Sequence, residues 1–219
     1  RSSLSGAAPL NLLEIQTTGK NNLHRIKQLK IIKSYSKLGQ KLETLTAAQT
    51  LSELILLLVA NNDPISGMLN TLLIHLDRLE EEINTQEVSS INTLAKCIQA
   101  CVHLLALGGF GLPVQRCCIS GEPLDAPLGK WDWRCSFIPE EGFAIGSYKN
   151  ARIELNPSEL ALLQRLTKAN LPLKKGSGEL IGPREVWIKL LNVIDKWTTN
   201  HLTRNLQAIH MMQTIFLKQ

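Results

Sequence analysis

Residues 40–60 read QKLETLTAAQTLSELILLLVA, and this stretch decides the fold of the chain. Its large apolar residues recur at steps of three and four, which is the period of one face of an α-helix. They are Leu42, Leu45, Leu51, Leu54, Ile55 and Leu58. The polar run at 61–63 ends the pattern. We therefore predict an amphipathic helix that ends near residue 60.

Two more helical patterns follow. Asp63 and Pro64 resemble an N-cap and a first-turn proline, and the apolar period continues from there to residue 83. A third helix is predicted over about 88–107, where a glycine pair ends it. Three helices joined by short loops are typical of an antiparallel bundle.

Residues 110–155 interrupt the helical pattern, because glycine and proline are frequent and no helical period is sustained. We predict a turn-rich insertion here. A helix resumes at Asn156, Pro157 and Glu159, which form a capping signature, and we expect it to end near Ala169. A mobile basic loop is predicted over 171–183, followed by helices over about 184–202 and 205–217.

The N-terminal part has a different pattern. Residues 10–15 read as a strand and 18–22 as a turn. We predict a mainly α fold: a β segment at 1–36, then a helical bundle-like domain at 37–219 that contains the insertion at 110–155.

Composition restricts the class of protein. With 219 residues and 44% hydrophobic content, the chain has enough apolar sequence for a core, which argues against intrinsic disorder. Its longest apolar run, at 54–60, is far shorter than the ~20 residues of a membrane span. The odd count of five cysteines favours reduced thiols in a cytoplasm. Because no phosphate-binding glycine loop, dinucleotide fingerprint or metalloprotease motif occurs, an ATPase or metallohydrolase has no support.

Positive charge is concentrated near the N-terminus. The net charge is +5, and residues 15–42 hold seven basic side chains and no acidic one. These are Lys20, Arg25, Lys27, Lys30, Lys33, Lys37 and Lys41. Lys30, Lys33, Lys37 and Lys41 would share a helical face, whereas Arg25, Lys27 and Lys33 would share a strand face. Either conformation predicts a basic stripe.

Such a stripe is either a solvated charged surface or a polyanion-binding surface. The absence of interleaved acids favours nucleic acid. Tyr35 is the only aromatic residue within it, so sequence-specific reading is not indicated. Lys174 and Lys175 in the later loop are further candidate DNA contacts.

The cysteines of the insertion do not form two ligand pairs, as a structural zinc site requires. Cys117 and Cys118 are adjacent, Cys135 is isolated, and no histidine lies between His103 and His201. A four-ligand zinc site is therefore not predicted from these residues.

The order of these segments resembles the RecO family of bacterial recombination mediators over about residues 23–216. The similarity rests on the glycine-rich break at 108–111, the Arg-Cys segment that leads into Gly-Glu-Pro-Leu, and Phe-Ile-Pro-Glu-Glu-Gly at 137–142. The family begins with an oligonucleotide-binding (OB-fold) barrel. The resemblance implies that residues 1–36 are its last part, with further strands upstream of Arg1.

Many RecO proteins carry two Cys-x-x-Cys pairs in the insertion. The matching positions here are Cys117, Ser120, Gly146 and Lys149. The resemblance thus implies a degenerate zinc knuckle without a metal cofactor. We expect Trp131, Trp133, Phe137 and Phe143 to form a hydrophobic cluster in place of the metal.

The resemblance also implies a function. It predicts a non-catalytic mediator that binds single- and double-stranded DNA, promotes annealing, and assists a RecA-type recombinase on DNA coated with single-strand-binding protein. Implied partners are RecR and the C-terminal tail of the single-strand-binding protein, and the implied location is the cytoplasm, at the nucleoid. Candidate contacts of that tail are Arg165, Lys168, Arg184 and Lys189.

Two other classes stay open. One is a helical interaction scaffold whose basic segment binds an acidic protein, and the other is a degraded zinc enzyme. Cys97 and Cys101, at i and i+4 on an apolar helix, are expected to be packing thiols rather than nucleophiles beside His103. Asp77, Glu80 and Glu81 are expected to be a solvated helix end rather than a metal or acid/base group, and His201, Arg204 and His210 are not assigned.

Overall fold

A computed structural model describes residues 8–20, 23–59, 64–84, 90–202 and 204–218. The side chains of Lys20, Leu23, Asn84 and Lys218 are outside this description. So is the predicted N-cap Asp63. The architecture is mainly helical with two small sheets.

The N-terminal segment is an antiparallel hairpin of β1 (Asn11–Lys20) and β2 (Leu23–Ser34). The predicted turn at 18–22 is wrong for its first three residues, because Thr18 to Lys20 pair with Arg25 to Leu23. β-branched Thr17 and Thr18 favour the extended strand. A short 3-10 segment, Ser36–Gln40, follows.

The predicted helices are present as α1 (Leu42–Leu58), α2 (Met68–Asn84) and α3 (Ser90–Leu107). However, α2 begins later than the Asp-Pro pair predicts. Gly67 takes a φ of 78° just before the first helical residue. The helix therefore begins after Gly67, whose carbonyl accepts from the Thr71 amide at 2.9 Å.

Helix α3 is the centre of the bundle and packs against α1, α2 and α5 (Arg184–His201). Leu94, Ile98, Cys101 and Leu105 are fully buried along it. Its 18 residues have a mean hydropathy of 1.3, and by length and composition α3 would suit a membrane span. Because 61% of this window is buried inside the protein, its place in the core accounts for the apolar sequence.

The insertion contains a three-stranded antiparallel sheet rather than turns alone. Strand β3 (Cys135–Ile138) lies between β4 (Gly142–Ile145) and β5 (Ile153–Leu155). The Cys118 amide donates to the Phe143 carbonyl at 2.8 Å, which ties the preceding loop to this sheet.

The C-terminal helices are α4 (Pro157–Arg165), α5 and α6 (Gln207–Lys218). The predicted capping box is confirmed: Asn156 Oδ1 accepts from the Glu159 amide, and Glu159 accepts from the Asn156 amide. Helix α4 ends at Arg165, earlier than predicted, because the chain turns away through 166–170. Helix α6 packs on α1 and α5, where Glu53 accepts from the Ala208 amide at 3.1 Å.

Candidate nucleic-acid interface

The two faces of the N-terminal hairpin differ in chemistry. Cross-strand partners alternate between them, as the strand period requires. The pairs Leu13↔Ile31, Ile15↔Leu29 and Thr17↔Ile26 form an apolar face. The pairs Leu12↔Lys33, Glu14↔Lys30, Gln16↔Gln28 and Thr18↔Arg25 form the polar face.

Two register shifts in the hairpin change which cations share a face. They leave Lys27 and Ile32 without a directly opposed residue in β1, as β-bulges do. Arg25, Lys30 and Lys33 consequently share the polar face. Of the predicted strand face, Arg25 and Lys33 therefore share one face, and Lys27 lies at a register shift, where strict alternation does not hold. The helical stripe is wrong, since Lys30 and Lys33 belong to a strand.

Lys33 forms an ion pair that joins the hairpin to α2, and its side chain is partly exposed. Its Nζ lies 2.6 Å from Asp77 Oδ1, 3.4 Å from Glu80 Oε2 and 4.4 Å from the centre of the Tyr35 ring. The Tyr35 hydroxyl donates to the same Asp77 oxygen at 2.7 Å. These contacts join the hairpin to α2. Asp77 and Glu80 are thus ion-pair partners of Lys33, whereas Glu81 is exposed, as predicted for a solvated helix end.

The pKa values follow from this cluster. The hydrogen bond to Asp77 raises the pKa of Lys33 above its usual value. Burial, together with the bond to Asp77, raises the pKa of Tyr35 to about 12. For Asp77, partial burial would raise the pKa, but the bonds from Lys33 and Tyr35 outweigh it and the pKa is lowered. The ionised form of the Asp77 side chain is therefore favoured.

Apart from Lys20, whose side chain is not described, the other predicted cations of this segment are exposed or half-buried. Arg25, Lys27, Lys30 and Lys37 are exposed, and Lys41 is half-buried at the start of α1. Glu14, one residue before the acid-free stretch, lies opposite Lys30. The hairpin is therefore basic but carries one carboxylate on its polar face.

The second predicted basic segment, the loop at 171–183, contains a turn that is closed by bonds between Lys174 and Glu179. Lys174 Nζ lies 2.8 Å from Glu179 Oε2, and the Lys174 amide donates to the Glu179 carbonyl at 2.7 Å. This side-chain bond from Lys174 lowers the pKa of Glu179. Lys175 is exposed beside it. The turn adds less net charge than the two lysines suggest.

The four candidate partner contacts do not form one site. Arg165 and Lys168 are exposed and line one groove with Gln115, Leu124 and Ala161. Arg184 donates to the Phe216 carbonyl. Lys189 pairs with Glu159 at 2.7 Å. The last two hold α5 against α6 and α4, so the groove keeps only Arg165 and Lys168.

The knuckle positions do not fit a four-ligand zinc site. Gly146 has no side chain, and Lys149 is an exposed residue that would bring an ammonium. Among the residues that the structure describes, no group of three or more His, Cys, Asp or Glu side chains could hold a metal. The turn itself is kept: the Gly121 amide donates to the Cys117 carbonyl at 2.9 Å, and Gly121 has a φ of 72°.

Cys117 is held by peptide groups. Its Sγ accepts from the amides of Ser120 and Ile145, each at 3.4 Å. Burial would raise the pKa of this thiol, but the bonds from Ser120 and Ile145 outweigh it and bring the pKa to about 7. Cys135, fully buried nearby, has its pKa raised to about 12 by burial and by Cys117 and Cys118.

Of the four residues predicted to form an aromatic cluster, Phe137 and Phe143 are buried together and Trp131 lies outside the cluster. Phe137 and Phe143 are buried with ring centres 5.1 Å apart, and Trp133 packs partly against the core. Trp131 is not a member, because 90% of it is exposed. Its place is taken by Trp197 of α5, 6.4 Å from Phe137, whose indole donates to the Phe110 carbonyl at 2.7 Å.

Sequence reasoning missed a histidine pair between α2 and α3, in which His75 is buried and His103 is half-buried. His75 Nε2 and His103 Nδ1 are 3.0 Å apart, and His103 Nε2 lies 2.9 Å from the Leu166 carbonyl. A carbonyl only accepts, so His103 carries its proton on Nε2 and His75 donates to Nδ1. Cys97 and Cys101 of α3 are buried, as is expected of packing thiols.

The other unassigned residues are structural or exposed. His201 Nε2 lies 2.9 Å from the Pro139 carbonyl, and its ring centre lies 3.8 Å from that of Trp197. His210 Nδ1 lies 3.9 Å from Oδ1 of the buried Asp195. Arg204 is exposed before α6.

Comparisons with the sequences of known proteins identify the family of this chain. The family model described as "Recombination protein O C terminal" matches residues 39–208. DNA repair protein RecO of Prochlorococcus marinus strain MIT 9313 is 56% identical over 97% of this chain and 79% of its own length. RecO of Synechococcus strain CC9605 is 52% identical over 99% of this chain and 82% of its own length. The chain therefore belongs to the RecO family of DNA repair and recombination proteins.

Proposed function

We propose that this chain is a recombination mediator that binds single- and double-stranded DNA without sequence preference. In this role it promotes strand annealing and assists a RecA-type recombinase on DNA coated with single-strand-binding protein. Family membership over 39–208 is the observation that carries the proposal. We propose that the mechanism is non-catalytic and that the protein acts in the cytoplasm, at the nucleoid.

The exposed cations of the hairpin and of the 3-10 segment that follows it support DNA binding. Arg25, Lys27, Lys30 and Lys37 are available to phosphates, whereas Lys33 is committed to Asp77. Each phosphate contact releases condensed counterions, so affinity falls as salt rises. Contacts of this kind carry no sequence information. Lys41, Lys175 and, after its pair with Glu179 opens, Lys174 would extend the surface.

The apolar face of the hairpin supports the domain division at residue 36. Ile15, Ile26 and Ile31 are about half exposed on it. A two-stranded ribbon with one apolar face is marginally stable in water unless that face is covered. We propose that residues 1–36 are the last part of an OB-fold barrel and that this face contacts its other strands.

Arg165 and Lys168 are the proposed contacts for the C-terminal tail of single-strand-binding protein. Their groove is lined by apolar Ala126 and Ala161 and by one carboxylate, Asp125, beside the two cations. Such a groove suits a peptide that ends in a carboxylate. RecR is a proposed partner by family alone, and no surface is assigned to it.

A salt titration of oligonucleotide binding tests the proposal. If four cations contact phosphates, the logarithm of the affinity for duplex DNA falls with the logarithm of salt with a slope of about −3 to −4. Lys27→Gln together with Lys30→Gln is expected to make the slope shallower by about two. Lys149→Gln, which removes one exposed cation outside the proposed DNA-binding surface, is the control and should leave the slope unchanged.

Absence of DNA binding at low salt would overturn the proposal. It would favour a helical scaffold whose basic hairpin binds an acidic protein. Binding with a salt slope that the double substitution leaves unchanged would retain DNA binding but place it away from the hairpin.

A further inference from the structure

The indole of Trp131 is the most exposed large hydrophobic side chain of the described residues, at 90%. The other tryptophans are placed differently: Trp133 packs partly against the core, and Trp187 and Trp197 are buried. Trp131 therefore contributes little to the core of the folded chain. An aromatic ring presented to solvent is a common element of binding surfaces.

The backbone beneath Trp131 is held in a defined turn. Arg134 donates from one nitrogen to the carbonyls of Trp131 and Trp133 at 2.7 and 2.8 Å. The Lys130 amide donates to the Pro127 carbonyl at 3.1 Å. Gly129 takes a φ of 93° in this turn. Since the backbone is fixed by these bonds, the exposed ring is attached to an ordered support.

Trp131 borders a concave surface lined by Gly129, Lys130, Arg134 and the start of α4, Asn156–Ser158. Two of its lining residues are cations and none is a carboxylate. Glu159, in the first turn of α4, is engaged by Lys189 and by the Asn156 amide. Exposed Asp132 is adjacent in sequence but does not line the concavity.

We propose that this surface is a stacking site for a base of single-stranded nucleic acid, with Lys130 and Arg134 beside the adjoining phosphate. The site is separate from the basic hairpin, and it rests on the proposed DNA-binding function. A π face next to cations is the arrangement used to bind single strands without sequence preference. A protein-binding hot spot centred on tryptophan is usually ringed by contacts that exclude water. The lining here instead includes two cations and the polar residues Asn156 and Ser158.

The test compares two ligands of equal length, about 12 nucleotides. One is a dye-labelled oligothymidylate, and the other is an abasic deoxyribose-phosphate strand. Trp131→Ala is expected to weaken oligothymidylate binding by about fivefold or more. Its affinity for the abasic strand is expected to match that of the unmodified chain, because this strand has nothing to stack.

Two further variants separate stacking from apolar contact. Trp131→Leu keeps an apolar side chain but has no π face, so it is expected to lose affinity as the alanine variant does. Trp131→Phe keeps a smaller ring and is expected to retain part of the affinity. Leu128→Ala is the matched control, because Leu128 is 69% exposed in the same turn and is expected to leave both affinities unchanged.

Several outcomes overturn the site. One is that Trp131→Ala binds oligothymidylate with the same affinity as the unmodified chain. Another is that Trp131→Ala loses affinity equally for oligothymidylate and for the abasic strand. A third is unchanged DNA binding with weaker binding of a peptide from the single-strand-binding protein tail, which would make this a protein-docking surface. If the unmodified chain binds neither strand, the proposed function fails along with the site. If it binds both and only the stacking prediction fails, the proposed function stands.

Discussion

Lys33 shows how a single side chain changes role once its surroundings are known. In sequence it is one of seven cations, whereas in the structure it lies on Tyr35 and pairs with Asp77 and Glu80. Tyr35 is buried at 2% exposure and points its hydroxyl at a carboxylate. The cluster fixes where the hairpin joins the helices, so the cations available for phosphates are its neighbours.

Tyr35→Phe is expected to lower the free energy of unfolding by about 1–2 kcal/mol. The substitution keeps the ring but removes a hydroxyl that donates to the ionised Asp77. Urea denaturation measures the change. Lys37→Ala, at an exposed position of the 3-10 segment, is the control and should stay within about 0.5 kcal/mol. An equal effect of both substitutions would contradict the anchoring role of Tyr35.

The histidine pair predicts a dependence of stability on pH. Burial, with smaller contributions from His103 and Arg78, lowers the pKa of His75 to about 3. Burial also lowers the pKa of His103. An unfolded histidine titrates near 6.5. Below that pH the unfolded chain binds protons that the folded chain does not, so stability present above about pH 6.5 is lost as the pH falls.

We expect the free energy of unfolding to fall by about 1 kcal/mol per pH unit between pH 6 and 5 as a result of His75. Denaturation at a series of pH values measures this slope. His75→Leu removes one of the two histidines with a lowered pKa and is expected to make the dependence in that window shallower by about 1 kcal/mol per pH unit. A slope unchanged by the substitution would show that other groups dominate.

At the scale of elements, glycines decide boundaries that apolar periodicity leaves open. Gly67 delays the start of α2 past the predicted proline, and Gly142 allows the tight connection between β3 and β4. Gly142 has a φ of 120°, and a Cβ there would lie 2.5 Å from Pro113 Cγ. Two separate constraints therefore require glycine at position 142.

Gly142→Ala is expected to destabilise the chain by about 2–4 kcal/mol, as the sum of backbone strain and a clash with Pro113. Gly129→Ala is the matched control. It also has a positive φ, 93°, but its Cβ would meet no atom within 4 Å. Its cost should be about 1–2 kcal/mol from the backbone alone. Thermal unfolding compares the two, and equal losses would rule out the Pro113 contact as a separate cost.

At the scale of the whole molecule, packing joins the insertion to the helices. Phe137, Phe143 and Trp197 join the small sheet to α5, and Cys117 accepts peptide hydrogen bonds from Ser120 and Ile145. The other knuckle positions, Ser120, Gly146 and Lys149, do not provide zinc ligands. Through the bonds from Ser120 and Ile145, Cys117 Sγ helps to hold the turn in its conformation. This arrangement gives the insertion a fixed position beside α4 and α5.

The purified chain is therefore expected to contain no stoichiometric zinc, and a chelator should leave its melting temperature unchanged. Elemental analysis and thermal unfolding with and without the chelator measure the two. Phe137→Ala tests whether aromatic packing stabilises the insertion, and it should lower the free energy of unfolding by about 3–5 kcal/mol. One zinc per chain, with a large drop in melting temperature on chelation, would refute this account of the insertion.

The sequence by itself determined the helices, the capping box at Asn156, the basic N-terminal segment and the family resemblance. These follow from local periodicity, from hydrogen bonds within a few residues, and from the order of short motifs. Only the tertiary structure decided that Lys33 is an anchor, that Arg184 and Lys189 lie apart from the Arg165 groove, and that Trp131 is exposed while Trp197 completes the cluster. Each of these depends on contacts between residues far apart in the chain, and composition and spacing carry no information about which distant side chains meet.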